Sequence, residues 1–293
     1  MKSIIVIGSS NTDMVVKTER FPKPGETIVG GEFFLFAGGK GANQAVAAAR
    51  LGGKVQFVAR VGDDLFGRQA VDGFLAEGID CSAVKTDPDH ASGTALITVD
   101  ASGENSIVVA PGANNALVPE DLDGIDFAAA GLVLMQLETP LPTIAAAVKA
   151  APGKCVLNPA PAQTLPPDIL NGLYLITPNE TEAELLTGVL PTDPASCVRA
   201  AKILHDAGVQ HVIITLGAAG AFYSGGTSSF SVSAPVVKTI DTTAAGDCFN
   251  GAVVVALAEG KGWREAIEFA VKAASISVTR MGAQVSVPKR SEL

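Results

Sequence analysis

The sequence predicts an α/β fold, with a mostly parallel sheet covered by helices on both faces and a small separate β-sheet projecting from it. Three observations carry this reading. Short β-branched runs alternate with alanine-rich stretches of helical periodicity along most of the chain, as expected of strands and crossover helices around a parallel sheet. Two stretches, 26–36 and 93–109, read as antiparallel strands and have no helix beside them to bury a second face. With 293 residues, 47% of them hydrophobic, the chain can bury a full core without disulfides or structural metal, and 1–293 reads as one domain.

Taken in order, buried strands are expected at 4–7, 55–61, 132–137, 156–158, 174–177 and 212–216. Helical patterns cover 41–51, 66–77, 143–150, 181–186 and 195–207, an apolar helix follows at 249–257, and an alanine-rich helix ends at Ser277. The stretches 159–167 and 191–194 are proline-containing loops. The β-rich stretches form a lid, the second folding back across 100–103. Their apolar residues Ile28, Val29, Phe34, Leu96, Ile97, Ile107 and Val108 then need a cover, either a ligand or another subunit.

Composition excludes several functions. Twenty-one Lys and Arg against 30 Asp and Glu give a net charge of −9, which argues against a nucleic-acid backbone binder. Aromatic residues make up 5% of the chain, too few for base-stacking platforms. Cys81, Cys155, Cys197 and Cys248 are far apart, and His90, His205 and His211 lie outside ligand spacing, so structural zinc is not expected and the thiols read as buried groups of a reducing compartment. The N-terminal apolar run is too short for a signal-peptide core, and no run approaches the ~18 residues of a membrane span. The expectation is a soluble, cytoplasmic protein without membrane partners.

Chemistry is concentrated at strand ends. In DTTAAGDCFNGA (241–252), Ala244, Ala245 and Gly246 let a backbone turn approach a ligand closely just before an apolar helix. Such a helix start favours an anion. Asp247 sits in its first turn, where a capping role is the plain alternative; Thr242 and Thr243 already offer caps, however, and a carboxylate beside an anion nest suits a general base for phosphoryl transfer. In AGGKGANQA (37–45), three glycines permit close backbone approach, and Lys40 and Asn43 project from the turn; a plain turn fits equally well. The chain has neither GxxxxGK[ST] nor GxGxxG after a strand. GSSNTD (8–13) reads as a turn offering Asn11 and Asp13 to hydroxyl groups, and Glu138 follows a strand as a loop carboxylate. Asn179 and Glu182 stand three apart at a helix start, which a capping box with Thr177 or Asn179 as cap also explains. TLGAAGA (215–221) is a strand followed by a Gly-rich turn.

Together GGKGANQA, DTTAAGDCFNGA and NETE from Asn179 resemble the signatures of the phosphofructokinase-B family of sugar kinases, and the similarity runs essentially the full length. The resemblance implies the ribokinase-like three-layer α/β/α fold with a β-lid, and ATP-dependent phosphorylation of D-ribose at its 5-hydroxyl. Deoxyribose or another sugar or nucleoside is the alternative substrate, and a non-catalytic sugar or nucleotide sensor the alternative class. By the same resemblance Asp247 is the base and Ala244, Ala245 and Gly246 form the anion hole. Asn11, Thr12, Asp13, Gly39, Lys40, Gly41, Ala42, Asn43, Glu138 and Asp247 hold the sugar. Asn179, Thr215, Leu216, Gly217, Ala218, Ala219, Gly220, Gly246 and Asp247 hold ATP. Glu182 orients water around Mg2+. A monovalent cation, K+, is implied at Asp241, the carbonyls of Thr243, Ser277, Arg280 and Gly282, and Ser286. A homodimer through the lid is expected. The chain departs from the family at Val271, where members often carry Asn or His near the adenine; an apolar contact remains there.

Overall fold

The computed structural model describes residues 2–293. In the larger sheet, β1 (Ser3–Ile7), β4 (Val55–Gly62), β5 (Asp80–Asp87), β8 (Ala130–Met135), β9 (Cys155–Leu157), β10 (Leu173–Ile176) and β11 (His211–Thr215) run parallel. An antiparallel hairpin, β12 (Ala221–Gly225) and β13 (Ser228–Val232), completes one edge. The order is β13-β12-β11-β10-β9-β8-β1-β4-β5.

Alternate residues of each central strand feed two cores, as the pleat requires. Ile4 and Val6 join Phe57 and Leu134 under α1 (Lys40–Arg50), α7 (Ala245–Ala258) and α8 (Trp263–Ser277), with Phe74 of α2 (Leu65–Ala76) at the margin. Ile5 and Ile7 join Val58 and Met135 under α3 (Leu141–Ala150) and α6 (Pro194–Asp206), with Ile169 of α4 (Pro167–Leu170) and Ala183 of α5 (Glu180–Thr187). Both strand faces are buried, which is why these strands read as continuous apolar runs.

Backbone proximity fixes where the helices start. Gly251 of α7 lies so close to α1 that a Cβ there would stand 2.5 Å from the Ala47 Cβ and 2.9 Å from the Gln44 carbonyl oxygen. A Cβ on Gly41 would stand 2.4 Å from the Ser9 nitrogen. The first turns of α1 and α7 therefore meet at the carboxyl ends of β1 and β8, the end of a parallel sheet where ligands bind.

The lid is a four-stranded sheet ordered β3-β2-β6-β7. β2 (Asn11–Lys17) pairs antiparallel with β3 (Glu32–Gly38) and parallel with β6 (Gly93–Val99), and β6 pairs antiparallel with β7 (Asn105–Ala110). This corrects two expectations. Residues 11–13 are not a turn but the start of a lid strand; polar Asn11 and Asp13 mask its period. The strand expected from residue 26 begins at Glu32, because Gly30 and Gly31 take φ of 121° and 106°, and a Cβ on Gly31 would stand 2.5 Å from the Lys17 carbonyl oxygen. Ile28 and Val29 thus precede the strand. Register places Leu35, Met14, Leu96 and Val108 in one row across the lid. With Phe33 and Val16 they form an apolar outer face on which Leu35, Leu96 and Val108 are 51%, 54% and 65% exposed.

Candidate active site

The start of α1 is capped by no side chain of its own. Gly39 enters it at a φ of 86°, and Glu138, just past β8, takes the Lys40 N–H at 2.8 Å and the Ser9 hydroxyl at 2.5 Å, both on Oε2. Glu138 is therefore a built part of the site rather than a solvated loop carboxylate, held by the positive end of α1. Asn11 is fixed from behind: its Oδ1 accepts from Asn114 Nδ2 at 2.7 Å, and Asn114 is itself held by the Ser10 backbone at 2.8 and 3.1 Å. Asp13 lies over Gly38, where a Cβ would be 2.3 Å from its Oδ2. Burial first, then the charges of Glu138 and Asp247, push its carboxyl up to about 6.

Asp247 is buried in the first turn of α7. Its Oδ2 accepts from Asn43 Nδ2 and its Oδ1 from Gln44 Nε2, both at 2.9 Å. Burial raises its pKa; Lys40 and the two amides oppose the rise without cancelling it. The threonines expected to cap this helix do not. Ala244 occupies the capping position in the left-handed conformation, with φ 58°, and supplies no side-chain cap. The Thr243 hydroxyl donates instead to Asp241 Oδ1 at 2.6 Å. The first turn thus leaves the N–H groups of Gly246 and Asp247 without a side-chain cap, and the φ of Ala244 is a strained position of the kind found at ligand clamps.

Beside this turn lies a cavity of about 460 Å³. Asn179, Thr215, Gly217, Ala218, Gly220 and Gly246 line it, as does the apolar Val271; Leu216 and Ala219 of the same turn do not. Sequence reasoning missed Phe249, although it stands inside the 241–252 motif, and Thr239, Ser275 and Val278, which no motif marks. At its edge Asn179 and Glu182 form the capping box that was the plain alternative. Asn179 Oδ1 accepts the Glu182 N–H and Glu182 Oε2 accepts the Asn179 N–H, each at 2.9 Å. Glu182 is nonetheless buried on the side facing Lys40 and Asp247, and burial raises its pKa.

Asp241 closes a second turn. Its Oδ1 accepts from the Thr243 N–H and its Oδ2 from the Gly282 N–H, at 2.9 and 2.8 Å. Burial works to raise its pKa, but the bonds from Thr243 and Gly282 outweigh it and the carboxyl sits below its ordinary range. The Ser277 carbonyl accepts the Arg280 N–H at 3.0 Å, and the Ser286 hydroxyl donates to the Ala283 carbonyl at 2.8 Å. Of the expected cation positions, Asp241 is thus tied to Thr243 and Gly282, while the Ser277 carbonyl and the Ser286 hydroxyl bond within 277–286.

Gln44, Asn158 and Asn250 were assigned no role in the sequence, although Gln44 and Asn250 stand inside the two strongest motifs, and Thr177 was read only as a possible helix cap. All four are buried polar side chains.

Residues 1–290 match the family described as pfkB family carbohydrate kinase. The chain is 48% identical to a ribokinase of Haemophilus influenzae, over 99% of this chain and 97% of that one, and 40% identical to a ribokinase of Bacillus subtilis, over 100% and 98%. It is similar to the structure of an Arabidopsis thaliana ribokinase complexed with ribose and ATP, with a TM-score of 0.93 and 34% identity over 99% of this chain and 96% of that one. A sheet with helices on both faces, an uncapped helix start beside a buried carboxylate, and full-length similarity of this kind lead to one assignment: the chain belongs to the pfkB family of carbohydrate kinases.

Proposed function

We propose that the chain transfers the γ-phosphoryl group of ATP to the 5-hydroxyl of D-ribose, giving ribose 5-phosphate and ADP. One observation carries the reading: the Asp247 carboxylate is buried in the first turn of an uncapped helix, between the polar cluster of Asn11, Asp13 and Asn43 and the 460 Å³ cavity. A sensor would need no carboxylate beside its anion nest.

Asp247 takes the hydroxyl proton as the sugar oxygen attacks the γ-phosphorus and the bond to the β-phosphate oxygen breaks. Its raised pKa brings it nearer the working pH, which improves a general base. The N–H groups of the Ala244–Asp247 turn stabilise charge on the transferring group. Asn11, Asp13, Lys40, Asn43 and Glu138 orient the sugar, and Thr12, Gly39, Gly41 and Ala42 bring the backbone to it. Asn179 and the 215–220 turn position the nucleotide.

Two metal ions fit the donor chemistry. Glu182 gives Oε2 to the capping box and keeps Oε1 for water around Mg2+, which when bound neutralises phosphate charge. The turns tied by Asp241 offer one carboxylate, hydroxyl oxygens and carbonyls, a low-charge oxygen set suited to a monovalent cation such as K+. Two copies pair through the apolar outer face of the lid. The reading places the enzyme in the cytoplasm, where its four free cysteines stay reduced.

The test is ADP release with ATP and a sugar panel. Ribose should support turnover, and 2-deoxyribose should lose about tenfold to a hundredfold in kcat/KM, because a hydroxyl-binding site is left with unpaired polar groups. Equal values would reassign the substrate; no sugar-dependent ADP release would remove the kinase reading.

A further inference from the structure

Behind the carboxylate runs a chain of buried side chains that none of the roles above uses. Gln44 Nε2 donates to Asp247 Oδ1 and to Asn158 Oδ1, both at 2.9 Å. Asn158 Nδ2 donates to the Thr177 carbonyl at 3.2 Å. The Thr177 hydroxyl donates to Asn250 Oδ1 at 2.6 Å, and Asn250 Nδ2 donates to the Gly246 carbonyl at 2.8 Å. Gly246 is bonded to Asp247, so the path returns to the residue where it began.

The direction of every bond in this loop is forced. A carboxylate only accepts, so the Gln44 amide nitrogen must face Asp247. Both protons of that nitrogen are then used, and Asn158 must turn its oxygen toward it. Backbone carbonyls only accept, so Asn158 and Asn250 must aim their nitrogens at Thr177 and Gly246. The Asn250 oxygen is then left to accept the one hydroxyl proton of Thr177, at 2.6 Å against 3.4 Å to the Leu157 carbonyl, which already takes the Thr177 N–H. Gln136 Nε2 steadies the Gln44 oxygen from outside at 2.6 Å. Such a loop has no degenerate alternative, and buried networks satisfied in this way rigidify what they touch.

The two ends it touches differ in kind. One is the carboxylate of Asp247. The other is the carbonyl of the planar peptide whose N–H belongs to Asp247, and holding that carbonyl sets where the N–H points.

We propose that Gln44, Thr177 and Asn250 are positioning residues for phosphoryl transfer, closing with Asn158 a ring that holds the carboxylate and the adjacent anion-binding peptide in one fixed relation. The inference rests on the kinase reading and deepens it. The base and the donor for developing charge serve the same transition state, so an error in their relative orientation falls on the chemical step rather than on binding.

The test compares the wild type with Thr177→Val, Thr177→Ser and Gln44→Met. Val keeps the shape of Thr and deletes the ring hydroxyl; Ser restores the hydroxyl. Thr177→Val should lower kcat tenfold to a hundredfold with both KM values within about twofold, and Thr177→Ser should recover kcat to within about threefold. Gln44→Met removes a donor to the ionised carboxylate, so the acid limb of the kcat–pH profile should move up by about one pH unit. Lys40 of α1, Glu138 after β8, Asp13 of β2 and Glu182 of α5 also face Asp247, and they are the same in every variant. An unchanged kcat in Thr177→Val, a loss that follows only the folded fraction by circular dichroism, or an unmoved acid limb in Gln44→Met overturns the ring. A wild type without sugar-dependent turnover removes the kinase reading itself, so the two failures are told apart by the wild-type arm.

Discussion

Asn43 donates its amide to Asp247 Oδ2 at 2.9 Å, while its own Oδ1 is buried and has no partner among the described residues. The carboxylate fixes which way the amide faces, so the oxygen is an acceptor held in wait. A buried acceptor without a donor costs about 1–3 kcal/mol, and a sugar hydroxyl would remove that penalty on binding. Asn43→Ala is expected to raise the KM for sugar and to lower kcat/KM by about tenfold to a hundredfold, with the KM for ATP little changed. Steady-state kinetics with each substrate varied in turn checks this.

Asp247→Asn keeps the shape of the residue and removes its capacity to take a proton. A fall of about 10²–10⁴ in kcat is expected, with sugar still bound. Near-normal turnover in a folded variant would take Asp247 out of the role of base.

Asp13 gives a prediction in pH. Its carboxyl titrates near 6 in the fold against a reference of 3.8, so the folded state binds the proton more tightly than the unfolded chain. Stability attributable to this group therefore falls as pH rises from about 4 to about 6 and stays lost above that. Asp13→Asn should melt above the wild type at pH 7 and level with it at pH 4, while the KM for sugar rises. Scanning calorimetry at both pH values, with kinetics, separates the two effects.

Legibility in the sequence divided along physical lines. Strands buried on both faces, such as β1 and β8, were readable because their apolar runs are continuous. The start of β2 was read as a turn because Asn11 and Asp13, the residues that give it a role, interrupt its period. Asp247 was found because its neighbours Ala244 to Gly246 mark a close backbone approach. Gln44, Asn158 and Asn250 were not, and Thr177 was read only as a cap, since these residues lie on two helices and past two strand ends and no spacing along the chain records a hydrogen bond across the core.

The outer face of the lid sets up a prediction about assembly. The row of Leu35, Met14, Leu96 and Val108 has no cover among the described residues, and exposed apolar sheet faces of this kind mark interaction sites. A two-fold pairing of lids would bury the same row on both copies. Light scattering should find a dimer at micromolar concentration, and Leu96→Asp should give a monomer of unchanged far-ultraviolet dichroism. A monomeric, fully active wild type would refute the pairing.

The last prediction concerns Asp241. Its two oxygens clamp the Thr243 and Gly282 N–H groups, so it joins the turn that leads into Ala244 to the turn that follows α8. A carboxylate set below its ordinary range stays ionised through neutral pH, and the neighbouring carbonyls and hydroxyls add oxygen without charge. A hard ion of single charge suits that set better than a divalent one, whose sites collect more carboxylates. Bound there, it would stiffen the approach to the anion nest and leave the reacting atoms alone, so its effect should appear in kcat, with little change in the KM for sugar. Assays in a buffer whose cation is a bulky organic amine, titrated with potassium chloride, should show activation that saturates. Asp241→Ala should lower the basal rate and flatten the titration, because the clamp and one donor go together. A flat response in the wild type would leave Asp241 as a structural tie between two turns.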